Sequence, residues 1–359
     1  MNRCLLLLIG LLLATRAASA ADDLLPPGPW PCDAAQPAVH REGFVPVGGL
    51  QQWVTVHGSD CRKPVLLMVH GGPGNPLTPY ANAPASPYAA WQQDFTLVLW
   101  DQRGAGRTYG RQPVDPDAEE KLLSIEQLAA DGVEVARWAT RTLGQRQVVL
   151  FGGSWSSALS VHMAMRAPEL FVAYVGTGQL VGADNLPASY AATLALARAA
   201  GDAASVAKLE AMGAPPWTNP RHMGQLRRVT RVYEAAASDP APTAWWLRAP
   251  AYDTPAEREA YTRGEDFSWL QYVGLRGQGM LSRLDLPALG LRFAMPVFML
   301  QGEADLVTVP SVSRRYFDRL QAPDKHYLLL QRVGHDPNPR MIAAQHRVLV
   351  EQVLPLLAR

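Results

Sequence analysis

Three residues of this chain have the types and the order needed for nucleophilic acyl transfer: Ser154, Asp305 and His335. A serine hydroxyl is a weak nucleophile until a base takes its proton. The imidazole that serves as base needs a carboxylate to fix its tautomer. Ser154 lies in FGGSWSSA (residues 151–158), directly after an apolar run and before a helical one. That is the setting of a sharp strand-to-helix elbow, where small neighbours such as Gly152 and Gly153 let strand and helix approach. The competing reading is a helix N-cap followed by small packing residues. Such an elbow usually carries glycine two positions on, and here that position is Ser156. The expectation is a stressed but permitted turn, in which Ser156→Gly retains or improves activity.

The acid and the base follow in sequence. Asp305 stands four residues past the apolar run PVFMLQ (296–301), and His335 four residues past HYLLLQ (326–331). Both therefore fall at the carboxyl ends of strands, the edge where a parallel sheet gathers its functional loops. The other histidines fit less well: His40, His57, His70 and His222 precede the acid, His162 lies within the helix after Ser154, His326 begins a strand, and His346 lies in the last helix. A fourth part is needed, donors for the negative charge of a tetrahedral intermediate. His70-Gly71-Gly72-Pro73-Gly74 follows the strand VLLMVH and can present bare backbone N–H groups. The expected donors are the N–H groups of Trp155 and Gly72, with Gly71 the alternative, and His70 shapes the loop.

These residues need a scaffold. Residues 65–70 (VLLMVH), 95–100 (FTLVLW), 147–151 and 172–175 are short apolar runs of the kind that strands buried on both faces show. Ser124–Gln127 is a capping-box signal for a helix that Gly144 ends. The alternation predicts an α/β fold: a mostly parallel central sheet with helices on both faces. A hairpin over residues 43–57, turning at Gly48-Gly49, precedes it. From about 178 to 291 strand signals stop and an alanine-rich, tryptophan-bearing stretch reads as an inserted helical cap. The expected organisation is a signal peptide (1–20), an N-terminal arm (21–42), a first core part (43–177), the cap (178–291) and a second core part (292–359).

Met1-Asn2-Arg3, the apolar run Leu5–Leu13 and Ala18-Ser19-Ala20 form a secretory signal, too short to span a membrane, with cleavage expected after Ala20. Its removal takes away Arg3 and Arg16 and leaves 31 basic against 32 acidic side chains. That balance, without a basic block, argues against nucleic acid or an anionic membrane surface as partner. The expected location is periplasmic or secreted, with no membrane anchor after cleavage. Cys32 and Cys61 then remain, and an even pair in an exported chain suggests one disulfide. No metal-binding spacing occurs and no cofactor is implied.

HGGPG at 70–74, DQRGAGRT at 101–108 and GGSW at 152–155 together resemble the proline iminopeptidase (prolyl aminopeptidase) family, serine peptidases of the α/β-hydrolase fold. The spacing of Asp305 and His335 agrees. The resemblance implies that Asp101 and Arg103 brace the active-site loops and that the substrate is a small peptide with N-terminal proline. The departures are Ser156 for glycine, GEAD (302–305) for Gly-Arg-Tyr-Asp, and Ala244-Trp245-Trp246-Leu247-Arg248, which has no glutamate after its tryptophans. The family binds the substrate amine through cap glutamates. Glu234, Glu265 and Asp266 are the available ammonium acceptors, although each by itself reads as an exposed helix charge; Glu265 is carried as the candidate, beside Trp245 and Trp246 as pocket walls. An exported aminopeptidase is the leading expectation, a carboxylesterase of small acyl esters the alternative, and a non-catalytic binding protein on the same fold the third.

Overall fold

The computed structural model describes residues 23–115 and 123–357. The expected signal peptide and its cleavage position lie outside the described residues. Within the described residues eight strands form one sheet: β1 (Val39–Val47), β2 (Leu50–Gly58), β3 (Val65–Val69), β4 (Thr96–Trp100), β5 (Val148–Gly153), β6 (Phe171–Thr177), β7 (Val297–Gly302) and β8 (Lys325–Leu330). Their order is β1-β2-β4-β3-β5-β6-β7-β8. β1 and β2 pair antiparallel, as does β2 with β4, while every pair from β4 to β8 is parallel.

Among the described residues, twelve α-helices accompany the sheet: α1 (Thr78–Ala81), α2 (Gly106–Arg111), α3 (Ile125–Thr142), α4 (Trp155–Arg166), α5 (Asn185–Ala199), α6 (Ala203–Met212), α7 (Arg221–Ala237), α8 (Pro255–Val273), α9 (Leu286–Leu289), α10 (Pro310–Arg319), α11 (Pro339–Val348) and α12 (Leu354–Leu357). Side chains alternate faces along a strand, and the central strands divide accordingly. Val65, Leu67, Val69, Val148 and Leu150 enter the core under α3 and α4. Leu66, Met68, Val149 and Phe151 enter the opposite core with Trp91 and α11. Because both faces are covered, these strands are apolar throughout rather than alternating. Ser124 caps α3 by accepting the Gln127 N–H at 3.1 Å.

The hairpin is longer than its sequence signals, because β1 begins at Val39 and takes residues 39–42 from the expected arm. The rest of the arm is fastened by the Cys32–Cys61 disulfide, whose Cα atoms lie 5.7 Å apart. Between β6 and β7 the described chain is helical, from α5 to α9, and α5, α6 and α7 share a small apolar core of Tyr190, Ala197, Leu209, Leu226 and Val229. α8 instead lies on the sheet edge. Gly74, at φ +84°, leaves room for it: a Cβ there would come within 2.8 Å of Glu265 Cα and Ser268 Cβ. A side chain would force the cap helix off the glycine loop.

Candidate active site

The turn from β5 into α4 sets Ser154 at φ 55°, ψ −126°, a strained setting for a residue with a side chain. The helix starts immediately afterwards and runs back across the strand. Gly152 permits this, since a Cβ there would meet Ser160 Oγ at 2.4 Å and the Ser156 carbonyl oxygen at 2.5 Å. The Ser154 N–H donates to the Thr177 carbonyl of β6 at 2.9 Å. Backbone strain of this kind turns the serine side chain outward, toward the loops that follow β7 and β8.

Those loops bring the other two groups to it. His335 Nε2 lies 2.9 Å from Ser154 Oγ, and His335 Nδ1 lies 3.0 and 3.1 Å from the two oxygens of Asp305. The Asp305 carboxylate is almost fully buried and would cost several kcal/mol there without partners. It has them: the N–H groups of Val307 and Thr308, each at 2.8 Å, the Thr308 hydroxyl at 2.6 Å and Gln301 Nε2 at 2.9 Å. Burial alone would raise its pKa, but His335 and the Thr308 hydrogen bonds outweigh burial and hold it below the ordinary carboxylate value. Burial likewise works to lower the pKa of His335, yet the adjoining Asp305 charge and hydrogen bond leave it raised.

The glycine loop reaches the same point. A Cβ on Gly71 would lie 3.7 Å from Ser154 Cβ, and Gly71 and Gly72 both line the cavity that Ser154 and His335 face. Trp155 is the first residue of α4, so its N–H has no acceptor within the helix. His70 is fully buried, with Nδ1 2.9 Å from the Gly71 carbonyl and Nε2 accepting the Gln102 N–H at 3.1 Å. Burial drops its pKa to about 4, which keeps it a neutral spacer of the loop.

Ser156 is better accommodated than its size suggests. Its Oγ lies 2.7 Å from the Val69 carbonyl and accepts the Gly153 N–H at 2.8 Å. The expected packing stress is thus corrected: the hydroxyl ties the end of β3 to the elbow. The brace expected at 101–103 divides in two. Asp101 accepts the Thr78 hydroxyl at 2.7 Å and the Arg107 N–H at 2.9 Å, with burial raising its pKa to about 7. It holds the segment after the glycine loop. Arg103 turns away, to Asp131 at 2.8 Å and the Gly48 carbonyl, and fastens the hairpin to α3 instead.

The cavity measures about 1300 Å³ between sheet edge and cap. Trp246 and Glu265 line it, as expected, but Trp245 does not; it packs against the apolar core on the far face of the sheet. The short 3₁₀ turn Thr243–Trp246 advances about 120° per residue and so points the two rings in different directions. Glu234 is a further correction. It is buried, not an exposed helix charge, and lines the cavity, accepting the Leu306 N–H at 2.8 Å on one oxygen and an Arg227 N–H on the other. Burial raises its pKa, with the neighbouring Arg227 opposing. Asp266 is exposed at the cavity wall. Glu265 receives Asn75 Nδ2 at 2.7 Å on Oε1. Sequence reading passed over Asn75, Arg227 and Asp336; the seven-residue spacing of Arg227 and Glu234, two turns along one helix face, was the available signal.

An eight-stranded, mostly parallel sheet with an elbow serine at its edge defines a hydrolase fold, and the comparisons agree. Residues 64–339 match the family described as "alpha/beta hydrolase fold", so the chain belongs to that family. The probable aminopeptidase YbaC of Bacillus subtilis (strain 168) is 25% identical over 299 residues, covering 81% of this chain and 89% of that one. A proline iminopeptidase of Xylella fastidiosa (strain 9a5c) is 35% identical over 112 residues, 31% of each chain. Among solved structures, the proline iminopeptidase of Mycobacterium smegmatis superposes with a TM-score of 0.65 at 19% identity, covering 89% of this chain and 99% of that one. VinJ does so with a TM-score of 0.65 at 20% identity, covering 88% and 99%.

Proposed function

We propose that the protein is an exported serine aminopeptidase that releases an N-terminal residue, proline foremost, from small peptides. The observation that carries the catalytic part is the 2.9 Å contact of His335 Nε2 with Ser154 Oγ, backed by Asp305 on Nδ1. His335 takes the serine proton as Ser154 Oγ attacks the acyl carbon. The tetrahedral oxyanion is received by the N–H groups of Trp155 and Gly72. His335 then protonates the leaving amine, the acyl-enzyme forms, and water activated by the same imidazole releases the acid.

The aminopeptidase part rests on the named relatives and on carboxylates facing the cavity. Glu265 is the better ammonium acceptor, because both oxygens of Glu234 already have partners. That same saturation favours a second reading, a carboxylesterase that uses the apolar part of the cavity around Leu180, Leu186 and Trp269. Comparing turnover of a prolyl anilide with that of a p-nitrophenyl ester decides between them. Anilide cleavage well above background supports the peptidase; background anilide cleavage with rapid ester hydrolysis replaces it with the esterase. The disulfide supports export to an oxidising compartment. Detection of a mature chain beginning at Ala21 outside the cytoplasm tests this, and an uncleaved cytoplasmic chain refutes it.

A further inference from the structure

The cap does more than roof the cavity. On α7, Arg227 and Glu234 stand two turns apart on one face, and each reaches down to a different loop of the core. Glu234 accepts the N–H of Leu306, the residue after Asp305, at 2.8 Å. Arg227 pairs with Glu234 through Nη1 and with Asp336, the residue after His335, through Nη2 at 2.8 Å. A continuous chain of contacts thus runs from acid loop to base loop outside the Asp305–His335 hydrogen bond. Packing reinforces it: a Cβ on Gly334 would meet Glu234 Cβ at 3.3 Å and Ser238 Oγ at 3.5 Å. The end of the helix is fastened to the same loop, for the Asp239 N–H donates to the Arg332 carbonyl at 2.9 Å and Asn338 Nδ2 to the Asp239 carbonyl at 3.0 Å.

We propose that Arg227, through Glu234 and Asp336, is a positioning residue that makes cap helix α7 part of the proton-transfer apparatus by fixing the place and charge environment of His335. The inference rests on the reading of Ser154, His335 and Asp305 as a serine-hydrolase triad. Leu306 and Asp336 are the direct neighbours of the acid and the base, so a shift of α7 moves both loops together. A misplacement of the order of 1 Å at a reacting group costs about a hundredfold in rate. The side chains are placed to matter electrostatically as well. Arg227 is mostly buried and Glu234 almost fully so, where charges are poorly screened. The groups facing His335 are Ser154 from the elbow, Asp305 and the Thr308 hydroxyl from the acid loop, Arg227 and Glu234 from α7, and Asp336 from its own loop. Of the charges, Arg227 disfavours the imidazolium, while Asp305, Glu234 and Asp336 favour it.

The sign of each effect gives the test. Arg227→Gln removes the buried cation and releases Glu234 fully and Asp336 in part, since Arg231 stays 4.0 Å from Asp336, so the His335 titration moves to higher pH. Asp336→Asn removes an acid and leaves Arg227 in place, so the titration moves to lower pH. The titration is read from the imidazole Cε1–H resonance, assigned by its loss in His335→Gln, and needs no turnover. In parallel, kcat/KM for the preferred ester or anilide is expected to fall about ten- to a hundredfold in Arg227→Gln, with its acid limb displaced upward. Arg221→Gln, at the exposed start of the same helix, leaves both readouts unchanged. Opposite displacements in the two folded variants establish the inference; no displacement, or displacement in one common direction, overturns it. If Arg227→Gln does not fold, a downward move in Asp336→Asn alone supports it, and an unmoved titration there overturns it. A wild-type protein whose Ser154 takes no fluorophosphonate would retire the hydrolase reading instead, a result separate from the histidine titration.

Discussion

Two regions face one cavity and are built by different means. At the sheet edge, Ser154, Asp305 and His335 are placed first by backbone, through a strained elbow, two loop N–H groups on one carboxylate oxygen and loops anchored in β7 and β8, with the Thr308 hydroxyl and the Gln301 amide added on the other oxygen. In the cap, the groups facing them are held by side chains on α7 and α8, through ion pairs and amide contacts such as Glu265–Asn75. Backbone placement is rigid and leaves little freedom in which residue type occupies each position. Side-chain placement is permissive, and many combinations of charge can satisfy it. The difference suits a fold that can carry different binding groups over one arrangement at the sheet edge.

The largest expected effect breaks the edge. Ser154→Ala abolishes hydrolysis, a fall of roughly 10⁴- to 10⁶-fold in kcat, measured with either substrate class. Asp305→Asn, which keeps the shape and spoils the imidazole tautomer, costs about 10⁴-fold. A fall below tenfold in either would detach that residue from the chemistry.

The cap should behave otherwise. Glu265→Gln is expected to raise KM for a prolyl anilide about 10- to 100-fold while leaving ester hydrolysis within about twofold, since it removes binding of an ammonium and not a reacting group. Equal losses on both substrates would erase the distinction between cap and edge. The pH dependence sharpens it further. His335 works as a base only when neutral, and its pKa is raised, because the Asp305 charge and hydrogen bond outweigh burial. The acid-side fall of kcat/KM is therefore expected above the ordinary histidine value of 6.5; a fall well below that value contradicts the assignment. The smallest effect concerns the elbow's own fastening. Ser156→Gly is expected to cost about 2 kcal/mol of stability, read by denaturant unfolding, through loss of its hydrogen bonds to Val69 and Gly153.

What could be read from the sequence follows the same division. Strands such as Val65–Val69 are apolar throughout because both faces are covered, and a continuous apolar run survives in the sequence as a plain signal. Ser154 and Asp305 were legible because each follows such a strand at short distance, and His335 because it follows the apolar run of β8, an edge strand that is only part-buried. Glu234 was not. Its burial depends on an apolar cap core, on Arg227 seven residues earlier, and on the Leu306 N–H far along the chain. A glutamate in an arginine-rich helix looks like a solvated charge until the partner loop is placed over it. Trp245 was misread for a related reason: composition marks a tryptophan as a wall, but only the turn decides which of two neighbours faces the cavity. Ser156 was misjudged by volume, when its hydroxyl had acceptor and donor waiting at the end of β3 and β5.

The most direct test is covalent. The wild-type protein, treated with a fluorophosphonate probe and digested, is expected to carry a single adduct on the peptide containing Ser154. That adduct should be lost in Ser154→Ala and strongly slowed in His335→Gln, with both variants melting near the wild type. A folded wild-type protein that takes no probe, or takes it equally with alanine at position 154, would show that the 2.9 Å contact between imidazole and hydroxyl does no chemistry.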